Sequence, residues 1–317
     1  MLTDLSNCTL CPRNCNIDRY QGAKGYCRVD AGLNIASICI HKGEEPVIGG
    51  IDGICNIFFS GCNLRCIYCQ NHEISQPDLS VASIAVGLSQ RQLRQLNNFE
   101  RIISKVTAIL STGINSLGFV SPSHMIPQML RIISGIHEKG FKPVIIYNSN
   151  GYDNVETIRN LNGIIDVYLP DFKYINPDTA FKYSGARNYP EVSLKAIKEM
   201  YYQKGSTLLT DENGKAESGL LIRHLVLPGH IEESKKVLDS IAENLSTGVN
   251  ISLMSQYHPI HKAVDKAFFP LNRTLYASEY ESVVNYMQLL GFRNGWIQAI
   301  ESSANYLPDF SKDNPFG

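Results

Sequence analysis

From Gly53 onward, short apolar runs alternate with longer stretches whose apolar residues recur every three to four positions. Short continuous runs suit buried strands, and three-to-four spacing gives a helix one buried stripe. The runs predict strands at 54–60, 116–120, 144–148, 164–169, 220–227 and 249–254, with a last one near 296–300. Between them, Phe99, Ile102, Ile103, Val106, Ile109 and Leu110 form one helical stripe, and Met125, Met129, Ile132, Ile133 and Ile136 form another, which makes all of them core. Strands that alternate with helices read as an α/β fold with a parallel sheet and crossover helices. Residues 207–218, with Asp211-Glu212-Asn213-Gly214, read as an exposed turn inserted before a strand.

The first fifty residues break this pattern. They hold five of the nine cysteines among Gly, Asn and Arg, with little apolar periodicity. The expectation is a small cysteine-rich, metal-binding segment at 1–50 ahead of a barrel-like domain at 51–317.

Composition narrows the class without choosing a function. With 44% hydrophobic and 19% charged residues the chain is an ordinary folded globular protein. A formal charge of −1 gives no basic excess with which to attract nucleic acid or anionic lipid, so neither is an expected partner. No apolar run is long enough for a membrane span, and MLTDLSNCTLCPRNC lacks the basic-then-apolar start of an export signal, so the expected location is the cytoplasm. Cytosolic thiols stay reduced, and clustered ones there serve metals more often than disulfides. Cys39 and Cys55 stand apart and read as small buried apolar residues.

The strand expected at 54–60 runs into Gly61-Cys62-Asn63-Leu64-Arg65-Cys66-Ile67-Tyr68-Cys69, a Cys-x3-Cys-x2-Cys loop. Structural zinc takes four protein ligands, whereas a [4Fe–4S] cluster held by three thiolates keeps one iron open to an outside ligand. S-adenosylmethionine fills such a position through its amino and carboxylate groups, and one electron then cleaves it to methionine and a 5′-deoxyadenosyl radical. The competing reading is a zinc site completed by Cys55 or His72. Gly61 as a turn and Tyr68 as a neighbouring aromatic favour the cluster. Polar residues also follow several expected strands, at Asn148, Ser149 and Asn150, at Asp171 and Lys173, and at Gln256 and His258, on the sheet edge where α/β folds carry their chemistry.

Over about residues 53–300 the chain resembles the radical S-adenosylmethionine superfamily, and within it the pyruvate formate-lyase activating enzymes. The resemblance implies a partial (β/α)6 TIM-like barrel, with the cluster loop after the first barrel strand and a flavodoxin or ferredoxin-type reductant as electron donor. Asn148-Ser149-Asn150-Gly151 is similar to the strand-end motif near the bound methionine and ribose. Asp171-Phe172-Lys173 resembles the family's Asp-x-Lys, where an acid meets an amino group and a lysine a carboxylate. Arg223 matches an arginine that points toward the cofactor, and His258 falls where related enzymes carry a late-strand histidine. Tyr68 joins this cofactor-binding set. Two positions depart from the pattern: the Gly-Gly-Glu stretch after the second strand is here Gly118–His124, which leaves Ser121, Ser123 or His124 to contact the cofactor, and Gln70 replaces a histidine.

Cys8, Cys11, Cys15 and Cys27 supply four more thiolates within twenty residues, enough for a second metal site that suits zinc and an iron–sulfur cluster equally well. Three functions follow. The first is a radical enzyme acting on a protein substrate, such as the activator of a glycyl radical enzyme. The second is a radical enzyme for a small molecule or a different protein, and the third is a non-catalytic metal-binding interaction protein.

Overall fold

A computed structural model describes residues 4–76, 98–300 and 307–316 of the 317-residue chain. Its frame is one sheet in the order β1-β2-β3-β4-β5-β7-β8-β9, with β6 paired to β7 alone. The strands are β1 (Ile35–His41), β2 (Ile54–Phe59), β3 (Ser116–Val120), β4 (Val144–Ser149), β5 (Val167–Pro170), β6 (Leu209–Thr210), β7 (Ala216–Leu225), β8 (Asn250–Met254) and β9 (Gly295–Ile297). From β2 to β5 and from β7 to β9 all neighbours are parallel, while β1 runs antiparallel to β2 along the edge. The fold is the expected α/β arrangement with a mostly parallel sheet and a cysteine-rich start.

The strands carry continuous apolar runs because both faces are covered. Every residue of β2 and of β8 is buried. The covering helices use the stripes seen in the sequence. Helix Phe99–Leu110 buries Ile102, Ile103, Val106 and Leu110, and helix Ile126–Glu138 buries Met129, Ile132, Ile133 and Ile136. Each such side chain contributes roughly 1.5–3 kcal/mol by leaving water. The first helix starts where the Asn98 side chain accepts from the Arg101 amide, and the second where Pro127 occupies a position that needs no donor. Among the described residues no helix is long and apolar enough to cross a membrane.

Two findings differ from the sequence expectation. The segment 1–50 does have a regular part, since β1 lies within it and pairs with β2 from Ile35↔Phe59 to His41↔Ile54. Its apolar pattern escapes notice because five of its seven residues are buried and so give no clean alternation. The turn at 207–218 is a hairpin, with Leu209 opposite Ser218 and Thr210 opposite Ala216. Cys39 and Cys55 sit buried on β1 and β2, as expected of small apolar residues.

Candidate active site

Because β2 to β5, β7 and β8 are parallel, their carboxyl ends open on one side of the sheet, and a cavity of about 200 Å3 lies there. Cys62, Cys66 and Cys69 all face it. The loop that carries them begins at Gly61, whose φ of +74° belongs to the left-handed region, and a Cβ there would come within 2.1 Å of the Cys27 carbonyl oxygen. Each sulfur has a polar neighbour of its own. The Asn150 amide donates to Cys62 at 3.3 Å, the Ser184 hydroxyl donates to Cys66 at 3.0 Å, and the Ser75 hydroxyl lies 3.2 Å from Cys69.

Burial pushes the Cys62 thiol up to about 12 and the Cys69 thiol up to about 11, and it raises Cys66 despite the Lys173 charge. Thiols in this state bind a metal only by giving up their protons. Among the described residues no three Cys, His, Asp or Glu side chains form a ready-made metal centre. The donor set nevertheless fits a three-thiolate cluster. Cys55, one candidate for a fourth zinc ligand, is fully buried in the core, and the other, His72, stacks on His261 at 4.8 Å; neither lines the cavity.

The polar wall is built by β4, β5 and β7. Arg223 lies 3.5 Å from Asp171, 3.2 Å from Glu44 and 3.7 Å from Glu45, and Lys173 is bonded to Asp171. Burial opposes the Arg223 charge, but Glu45, Glu44 and Asp171 together outweigh it; Asp171 does the same for Lys173. Two buried atoms here, Asp171 Oδ1 and His258 Nδ1, have no hydrogen-bond partner. Asn148, Ser121 and His258 line the cavity as well.

Of the expected cofactor contacts, Tyr68, Ser121, Asn148, Asn150, Asp171, Lys173, Arg223 and His258 face the cavity. Two of them have other commitments. The Tyr68 hydroxyl pairs with that of Tyr174, and the Asn150 amide also bonds Asn63 at 2.8 Å, so Tyr68 offers a ring and Asn150 braces the loop. Ser123 and His124 are corrections. Ser121 adopts a left-handed φ of 51° and Pro122 opens a single 3-10 turn, which takes the next residues off the wall. Ser123 is buried beside Asp153, and His124 lines the small cavity of the first four cysteines, its Nε2 donating to the Ser60 carbonyl at 2.9 Å.

The sequence reading missed Glu44 and Phe316. Glu44 follows β1, and its carboxylate accepts from Asn56 at 3.0 Å, Arg223 at 3.2 Å and Asn148 at 3.5 Å, with His41 Nδ1 at 3.2 Å. Burial would raise this carboxyl, yet the His41 bond and the Arg223 charge bring it down to about 2. The adjacent pair Glu44-Glu45 ahead of Pro46 was the available signal. Gly118 makes room for the arrangement, since a Cβ there would meet Asn56 Oδ1 at 2.1 Å. Phe316 lies 4.0 Å from the His41 ring and closes part of the cavity.

A protein of Methanocaldococcus jannaschii, described as uncharacterized protein MJ0674, is 29% identical over 281 residues, which is 88% of this chain and 73% of that protein. Among solved structures, Streptococcus suis SuiB bound to its precursor peptide SuiA aligns with a TM-score of 0.48 at 12% identity, over 80% of this chain and 51% of SuiB. The structure of anSMEcpe with bound AdoMet aligns with a TM-score of 0.46 at 14% identity, over 75% of this chain and 61% of that one. The chain thus spans about half of the first of these solved proteins. The family model of the radical SAM superfamily matches residues 56–210, the stretch that begins in β2 and contains the three-cysteine loop.

Proposed function

We propose that this protein is an enzyme that reductively cleaves S-adenosylmethionine at a [4Fe–4S] cluster held by Cys62, Cys66 and Cys69, and then takes a hydrogen atom from a substrate. The observation that carries this reading is the meeting of three half-buried thiols with Asp171, Lys173, Arg223 and Glu44 in one cavity at the carboxyl edge of the parallel sheet. When bound, the cluster and S-adenosylmethionine supply an electron and a 5′-deoxyadenosyl radical.

The chain's own residues bind, orient and exclude water. Arg223 and Lys173 stay charged beside their carboxylates and offer cations to a ligand carboxylate. Asp171 Oδ1, buried without a hydrogen bond, is an acceptor for a ligand ammonium group. Phe58, Phe59, Leu225, Met254, Tyr257 and Phe316 give the cavity its apolar wall, which keeps a reactive site dry. The electron comes from a flavodoxin or ferredoxin-type reductant.

The substrate favoured by the Asp-x-Lys and strand-end motifs is a glycyl radical enzyme. A second reading, a small molecule or a different protein, is supported by the missing Gly-Gly-Glu stretch and by Glu44, which approaches Asn148 from outside the barrel strands. Anaerobic reconstitution followed by S-adenosylmethionine and dithionite tests the reaction class without a known substrate. The expected result is bound iron and released 5′-deoxyadenosine. A single zinc in the Cys62 loop, with no nucleoside formed, overturns the reading and returns the chain to the metal-binding interaction class.

A further inference from the structure

The proposed reaction leaves the first four cysteines unused, and although they too form no ready-made metal centre, they share a cavity of their own. Cys8, Cys11, Cys15 and Cys27 line one cavity of about 10 Å3, against about 200 Å3 beside Cys62. A space of roughly 10–15 Å3 holds one atom-sized guest. The small space matches a single ion directly.

The donors around these sulfurs point the same way. The Arg13 amide faces Cys11 and the Val29 amide faces Cys27. The Tyr26 amide donates to Cys15 at 3.4 Å, and Arg19 Nη1 lies 3.8 Å from Cys8. A neutral thiol is a weak acceptor, whereas a thiolate draws N–H donors strongly. A polar N–H group beside each of the four sulfurs suits thiolates that a bound metal has stripped of their protons.

Arg19 is the independent observation. It is 1% exposed, and its remaining contacts are the carbonyls of Asp30 and His124 and the Met125 sulfur. No carboxylate among the described residues lies within ion-pair distance of it, and the Asp30 carboxylate acts on it only from further away. A buried guanidinium is costly without a counter-charge. A thiolate-rich metal site supplies that charge at Cys8.

We propose that Cys8, Cys11, Cys15 and Cys27 bind one tetrahedral zinc ion as four thiolates, each sulfur releasing its proton to solvent, and that this ion fastens the cysteine segment onto the Cys62 loop. The contact surfaces are on hand for the fastening. The Cys27 carbonyl occupies the space that a Cβ on Gly61 would need, and Arg13 donates to the Asn63 carbonyl at 2.8 Å and to the Gly185 carbonyl at 2.9 Å. Gly61 and Asn63 flank Cys62 directly. The zinc site itself does not depend on the proposed radical reaction, so either can fail alone.

The test uses the full chain with Cys62, Cys66 and Cys69 all changed to Ser. Purified with zinc available, or incubated anaerobically with iron and sulfide, this variant is expected to hold one zinc per chain and no iron. Cobalt exchanged into it should give the visible bands of a tetrahedral thiolate site. Iron and sulfide bound instead, or no metal at all, overturns the site. Hydrogen exchange at the amides of residues 61–67 tests the fastening. Zinc removal should speed exchange there at least tenfold, and unchanged exchange rejects the lock. A further Cys27→Ser change should abolish zinc binding; if that chain fails to fold, the cobalt spectrum of the triple variant still decides.

Discussion

Replacing Glu44 by Gln removes one charge from the cavity wall and keeps the side chain's size. In the native protein the Glu44 carboxylate is 7% exposed and accepts from Arg223, Asn56 and Asn148, with His41 beside it. Glutamine keeps one oxygen acceptor, but its amide group must face either Arg223 or the Asn56 donor, and a donor then meets a donor. Removing one member of a buried ion pair costs about 3–5 kcal/mol. Arg223 retains Glu45 at 3.7 Å and Asp171 at 3.5 Å, which places the expected loss at the lower end, about 3 kcal/mol. A carboxyl held at about 2 instead of 4.5 gives the same size, at about 1.4 kcal/mol per tenfold. Since the folded value lies below the unfolded one, this stability is present above pH 4.5 and disappears as pH falls through about 2. Urea unfolding of the metal-free chain at pH 7 measures it, and calorimetric titration with S-adenosylmethionine should show weaker binding because Arg223 and Asn148 lose their shared anchor. A Glu44→Gln protein within 0.5 kcal/mol of the wild type would show that the network holds nothing together.

Other outcomes follow from the same geometry. Cys66→Ala should abolish both iron–sulfur absorbance and 5′-deoxyadenosine formation, whereas Cys11→Ala in folded protein should leave both measurable; equal cleavage by Cys66→Ala and wild type defeats the assignment. Gly61→Ala forces a Cβ toward the Cys27 carbonyl at a φ of +74°, so a loss of about 2–3 kcal/mol in urea unfolding is expected, and a neutral result refutes the close approach. The Arg273 hydrogen bonds hold the Glu279 carboxyl down at about 2, so Glu279→Gln should cost about 1–2 kcal/mol at pH 7, and that gap should close as pH falls from 4.5 to 2. A gap that persists unchanged at pH 2.5 contradicts the pairing. Burial keeps the Cys62 and Cys69 thiols protonated, so iron uptake during reconstitution should rise between pH 7 and 8.5; a flat profile argues against proton release as the opposing step.

Much of the frame could be read from local pattern. The runs at 116–120 and 249–254 became β3 and β8 within a residue, and the Phe99–Leu110 stripe became a helix with the expected buried face. These succeed because strand and helix periods are properties of neighbouring residues. The cysteine loop stood out for the same reason: three cysteines within eight residues, straight after an apolar run, need no distant partner to be noticed.

What escaped was every contact made across the fold. Glu44 stands 179 residues from Arg223 and 104 from Asn148, and no spacing rule joins them. His124 looked like a cavity residue from its distance to β3, yet the left-handed Ser121 and the turn at Pro122 send it toward the cysteine segment. Residue type and order decide which elements form and which ligands exist, because propensity and periodicity act over a few bonds. Only packing decides which charges share a cavity, because a buried ion must find its partner in space wherever that partner lies along the chain.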